Sequence, residues 1–145
     1  MSWTLAQARA RFADQLRNNL VPAYLVQVYE APPAQIVAPC AVIAPRAPYV
    51  TPYQYNIEEV RFAVTVFVPH SSSPDALDRL ELIAGYVAMQ AEGGEGTFKP
   101  GGYAYRGFTS SFDSIDSIGT VTELGGITYL AAVVNVTAYI GVLPR

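Results

Sequence analysis

The chain has 145 residues and a mass of 15.7 kDa, enough for one core, since single cores run to roughly 100–200 residues; residues 1–145 are read as one domain. Charged residues make up 14% of it against about 25% in an ordinary soluble domain, while 51% is hydrophobic, which is little charge for the surface of a monomer. The net charge of −3 and the pI near 5.0 exclude a broad basic surface that neutralises phosphates, and with it sequence-specific nucleic-acid binding.

Chain order gives the elements. Leu5, Phe12, Leu16 and Leu20, with Ala8 and Ala13 between them, share one side of a 3.6-residue wheel, so residues 4–18 are predicted helical. Thr4 and Gln7 have capping-box spacing, and Asn18, Asn19 and Pro22 mark the stop. The aromatic and β-branched run 24–29 reads as a strand. Six prolines follow, at 32, 33, 39, 45, 48 and 52. Because proline lacks a ladder donor, only 40–44 leaves room for a short strand, and the segment is expected at an edge or as an extended arm.

Residues 60–68 alternate cleanly, with Val60, Phe62, Val64, Val66 and Val68 on one face, and form the clearest strand. Ser71–Ser73 then supply a cap, Pro74 a first helical position and Asp75 a charge that suits the helix dipole, so a second helix is predicted over 74–90. Five glycines between 92 and 102 make that backbone costly to order and predict a loop. Residues 103–112 and 118–124 read as strands broken by the serine- and aspartate-rich 113–117. The Gly125-Gly126 turn leads to a last strand over 127–140, closing an antiparallel meander. The fold class is therefore α+β: a mainly antiparallel sheet packed by two helices, with a proline-rich extended arm.

The uncharged stretch 124–144 is long enough to cross a bilayer. Its centre, Val133, Val134, Asn135, Val136 and Thr137, is β-branched at four of five positions, which reads as a buried strand, and no membrane partner is expected. The first twenty residues carry Arg9, Arg11, Asp14 and Arg17 inside their only apolar pattern and do not read as a secretory signal.

Searching for chemistry yields little. Asp75, Asp78 and Glu81 offer the best spacing for a metal beside the single histidine, His70, but acidic residues in the first turns of a helix are accounted for by its dipole. Ser110 and Ser111 lie in a strand rather than a nucleophile elbow. Cys40, the one cysteine, excludes an intrachain disulfide and reads as a buried inert thiol. The glycine-rich stretch lacks the Gly-Lys-Ser/Thr ending of a phosphate loop and carries Glu92 and Glu95, which repel phosphate. Asp113 and Asp116 read as turn residues. No catalytic residue, cofactor site or metal site is assigned, and the chain is read as a non-enzyme. What remains is a neutral, tyrosine-bearing exterior of the kind interfaces favour. The candidate interface residues are Pro48, Tyr49, Tyr53, Tyr55, Phe98, Lys99, Tyr103 and Tyr105. The plainer alternative is that the tyrosines cover the domain's own sheet.

In order, these features resemble the tail terminator proteins of long-tailed bacteriophages. The resemblance rests on the amphipathic first helix, then Leu20-Val21-Pro22 leading to Val28-Tyr29-Glu30. It continues through Pro32-Pro33, Pro45-Arg46-Ala47-Pro48-Tyr49, and Val64-Thr65-Val66-Phe67-Val68-Pro69 running into a serine-capped helix. It implies a virion protein of the head–tail junction, assembled in the host cytoplasm. Such a protein forms a ring, usually a hexamer, that caps the tail tube, stops its polymerisation and offers a docking surface to the head connector. The implied partners are copies of itself, the major tail tube protein and the head-closure or connector protein, with DNA passing through the ring. Alternatives are a head-closure or head-to-tail joining neck protein and a generic oligomeric binding module.

Overall fold

Thr4 starts the first element. Its hydroxyl accepts from the Gln7 amide at 3.1 Å, and the Gln7 side chain accepts from the Thr4 amide at 2.9 Å, so two of the orphan donors of helix α1 (Leu5–Leu20) are satisfied reciprocally. Ala8, Phe12, Ala13, Leu16 and Leu20 are its buried stripe. The computed structural model describes residues 3–54, 56–70, 74–95 and 107–141.

After α1 the amides of Tyr24 and Leu25 bond back to the Leu20 carbonyl at 2.9 and 3.0 Å. This turn consumes residues expected in the first strand, and β1 is only Gln27–Tyr29. Strand β2 (Cys40–Gln54) corrects the expected proline-rich arm: it is strand throughout, and 40–45, 50–52 and 54 pair antiparallel with β3 (Ile57–Pro69). The prolines are accommodated by two register shifts, after Pro45 and after Pro52. The larger shift sets the excursion Arg46–Tyr49 opposite the single residue Arg61.

Helix α2 (Asp75–Ala91) buries Ala76, Leu80, Ile83, Ala84, Val87 and Ala91. Pro74 is its N-cap, in helical conformation and without a side-chain cap bond, while Ser71–Ser73, the expected cap, lie outside the described residues. Of the stretch 92–102 expected as a loop, Gly93–Glu95 form β4, which pairs with the start of β5 (Phe108–Leu124), and 96–102 lie outside the described residues. A second correction concerns 113–117, expected as a break. β5 runs straight through it, paired with β6 (Ile127–Gly141), and absorbs the irregularity as shifts after Phe112 and after Asp116. Gly125 and Gly126 join these two strands with φ of +59° and +81°, the left-handed pair of a two-residue hairpin turn.

The six strands lie in the order β1-β2-β3-β6-β5-β4. The β1–β2 pair is parallel and every other pair antiparallel, so the sheet is mixed. Both helices pack on one face. The core joins their stripes to Val60, Phe62, Val64, Val66 and Val68 of β3 and to Leu130, Ala132, Val134, Val136, Ala138 and Ile140 of β6. Phe12 and Phe62 stack with parallel rings at its centre, ring centroids 5.5 Å apart and planes within 2°. Between the helices and β5, Gln15 Nε2 donates to the Gln90 carbonyl at 2.5 Å and to Ser110 Oγ at 3.2 Å, and Ser110 Oγ donates to the Ala91 carbonyl at 2.6 Å. The uncharged stretch near the C-terminus is strand, as read from its β-branched residues, and among the described residues no helix is long and apolar enough to cross a membrane.

Candidate interaction surface

Strand alternation sends every second side chain of β3 and β6 to the face opposite the helices. No helix covers that face among the described residues. At the end nearest Pro69 it is neutral. Thr65, Phe67, Ser117, Thr120, Ala131 and Val133 line a groove of about 260 Å³. Beside it, Gln35, Ile36, Leu124, Ile127 and Tyr129 line a second depression of about 210 Å³. Cys40 and Val42 belong to the same face and are buried with Phe67 and Tyr129 under Tyr29, Ile36 and Ala38. Burial pushes the Cys40 thiol up to about 12, so at neutral pH it is a protonated, unreactive side chain.

Towards the other end the face becomes polar, and its groups bond to one another, with the buried Arg46 Nε left without a partner. Asn135 Nδ2 donates to Ser114 Oγ at 3.0 Å and to Asp116 Oδ2 at 2.6 Å. Arg46, carried over the face by the β2 excursion, pairs with Asp113 at 2.7 Å and donates to the Val136 carbonyl at 3.2 Å. Thr137 Oγ1 donates to the same Asp113 oxygen at 2.5 Å. Beyond it Arg61 pairs with Glu59 and donates to Thr51 Oγ1 at 3.0 Å. These are structural contacts: each acid faces a donor. Among the described residues, no group of His, Cys, Asp and Glu side chains converges as a metal site would require.

Of the residues singled out in the sequence, three are described. Pro48 is exposed on the excursion, its carbonyl accepting from Arg61 Nη1 at 3.3 Å. Tyr53 is 39% exposed and meets Tyr139 edge-on at 5.1 Å. Burial, then the nearby Glu59 carboxylate, raises the pKa of the Tyr139 phenol above its ordinary value. Tyr49 turns inward, its ring 6.0 Å from that of Phe62, and its pKa is raised by burial, opposed by the charge of Arg9. Tyr55, Phe98, Lys99, Tyr103 and Tyr105 lie outside the described residues. The Asp113–Thr137 and Asp116–Asn135 pairs were missed, because serine and aspartate in succession read as a turn. No local signal in 113–117 announces them, since their partners come from β6 and from Arg46.

A second surface lies on the outward side of α2, where Leu82 is 53% and Met89 66% exposed. Gly85 sits between them, and a Cβ placed on it would meet nothing within 4 Å. His70 and the acidic residues Asp75, Asp78 and Glu81 are exposed. No protein-family model matches this chain, and no curated protein shows significant similarity to it.

Proposed function

We propose that this protein is a structural, non-enzymatic subunit that assembles with copies of itself into a ring. By its sequence resemblance, the ring caps the tail tube of a long-tailed bacteriophage, stops tube growth and presents a docking surface to the head connector. The observation that carries the reading is the helix-free face of the sheet, whose neutral end is lined by methyl and hydroxyl groups in a chain with 14% charge. Such a face is suited to burial against protein rather than to water.

A ring needs two unlike patches on each subunit, one meeting the other around the circle. The sheet face and the apolar outward stripe of α2 are two such patches on opposite sides of the chain. Capping then works by geometry and mass action. One side of the closed ring binds the open tube end, and the other lacks the surface that the next tube ring needs. A helix-poor β-barrel neck protein fits less well, because helices of 16 and 17 residues cover one side of this sheet.

The test is polymerisation of tail tubes with and without the purified protein, imaged by electron microscopy. Ring-shaped density at one tube end and shorter tubes support the proposal. Bare ends and unchanged length distributions reject it.

A further inference from the structure

Sheet edges expose ladder donors and acceptors that recruit other strands unless something blocks them. This chain blocks most of its edges. At β1, the Gln27 side chain accepts from the outward Val28 amide at 3.0 Å, and Arg17 Nη2 donates to the outward Val28 carbonyl at 2.8 Å. On β2, the Val26 amide bonds to the Pro39 carbonyl, so residues 41, 43 and 45 also turn away from β3. Pro45 therefore takes a position where an amide would face outward. Past the excursion, Pro52 stands beside Thr51 and does the same. On β5, Ser110 is paired with Gly93 of β4, and the Phe112 amide is held by Glu92 Oε1 at 3.0 Å.

One stretch is different. The Gly141 amide bonds to the Gly107 carbonyl at 3.2 Å, which fixes the odd-numbered residues of β6 as those turned towards β5. Opposite Ala131, Tyr129 and Ile127 stand Thr120, Thr122 and Leu124, whose backbone groups are used inside the hairpin. Val121 and Glu123 consequently direct their amides and carbonyls away from it. Between 120 and 124 there is no proline and no register shift, and no strand among the described residues pairs with this edge. β3 ends opposite Tyr129, so the hairpin beyond is two-stranded, a ribbon that is marginal alone in water. Three of its side chains are apolar and open, Val121 at 59%, Leu124 at 39% and Ile127 at 57% exposure, beside the polar Thr122, Glu123 and Thr128.

We propose that residues 120–124 of β5 pair antiparallel with the same residues of a second copy of this chain, about a two-fold axis through Thr122. In this register Val121 lies opposite Glu123 of the second copy, and the two exchange both backbone bonds. Thr122 meets its own counterpart. Each carboxylate faces a valine, so like charges are not set directly opposite. The second copy is the fitting occupant because its own 120–124 stretch is open in the same way, whereas Val28, the proline positions of β2 and Phe112 are guarded in it as in the first. The contact is isologous and distinct from the heterologous contact of a ring.

Sedimentation of the full-length protein over a range of concentrations tests it. Val121→Pro removes an outward amide that the hairpin does not use and is expected to weaken dimerisation by roughly tenfold or more, the effect of one or two lost backbone bonds. Val121→Thr keeps the amide and is expected to dimerise within about threefold of the unaltered chain. Without any substitution, hydrogen exchange of the Val121 and Glu123 amides is expected to slow as concentration rises. A chain that is monomeric throughout, exchange independent of concentration, or equal loss in both variants overturns the pairing. None of these outcomes involves a tail tube, so the capping assay stands or falls separately.

Discussion

Replacing Phe62 by alanine removes the ring on which the helix–sheet contact is built. Phe62 is fully buried, stacked on Phe12 at 5.5 Å and met edge-on by Tyr49 at 6.0 Å. It stands on a central strand, between β2 and β6, where the surroundings have little freedom to collapse into the space. A buried phenylalanine truncated to alanine costs about 3–5 kcal/mol, from lost transfer energy plus the cavity left behind. Unfolding entropy of about 2.1 cal/mol/K per residue gives about 0.3 kcal/mol/K for 145 residues. The melting temperature should therefore fall by about 10–16 °C, read by calorimetry or far-UV circular dichroism. Phe12→Leu and Phe62→Leu, alone and together, then isolate the pair, with an expected coupling of about 0.5–1.5 kcal/mol. A fall below about 4 °C for Phe62→Ala, outside the range such cavities give, would refute the placement of this ring at the core's centre.

Gln15→Ala removes the donor that ties the Gln90 carbonyl and Ser110 to α1. It should cost about 0.5–1.5 kcal/mol by equilibrium urea unfolding, the net range for a part-buried hydrogen bond. Gly85→Ala enters open space on an exposed helix surface and should stabilise the chain by up to about 1 kcal/mol in the same assay. Cys40 should resist alkylation at pH 8 until denaturant is added, because its pKa is pushed to about 12 by burial. The same shift has a stability consequence. The unfolded thiol ionises near its ordinary value of 9.0 while the folded one stays protonated. Its contribution is thus full below about pH 9 and lost as pH rises towards about 12. Unfolding midpoints measured between pH 8 and 11 should fall less in Cys40→Ala, after correction for its lower starting stability.

The helices were legible because their information is local. Thr4 and Gln7 carry a cap in their spacing, and the apolar stripes of both helices recur at helical period. The 60–68 alternation likewise gave β3 to within three residues. β2 was not legible, because the rule that proline breaks a ladder applies only where the missing amide would point inward. Pro45 and Pro52 are an odd number of residues apart and would face opposite sides of a regular strand. The Arg46–Tyr49 excursion inserts an odd number of extra residues, and both prolines then face out. Nothing in the local sequence announces that shift; it depends on β3. The polar pairs on the helix-free face were hidden for a similar reason. Asp113 and Asp116 acquire their partners, Arg46, Thr137 and Asn135, from strands distant in sequence.

Low charge and guarded edges belong to one physical problem. A chain with little charge has few means of keeping copies apart, and an open strand edge would then recruit them without limit, since edge pairing of unlike strands generates open stacks as readily as closed rings. Arg17 at β1, the prolines of β2 and Glu92 beside Phe112 leave side-chain faces as the broad contact surfaces, and faces of fixed curvature can close. The unguarded stretch at 120–124 does not break this logic. An edge that pairs only with itself saturates after two copies, so it adds one contact and cannot propagate. A variant with Pro45 and Pro52 both changed to threonine should test the division directly. It restores outward amides on β2, and its expected products by light scattering are species larger than those of the unaltered chain, growing with concentration. If the size distribution stays unchanged, the prolines are not guards.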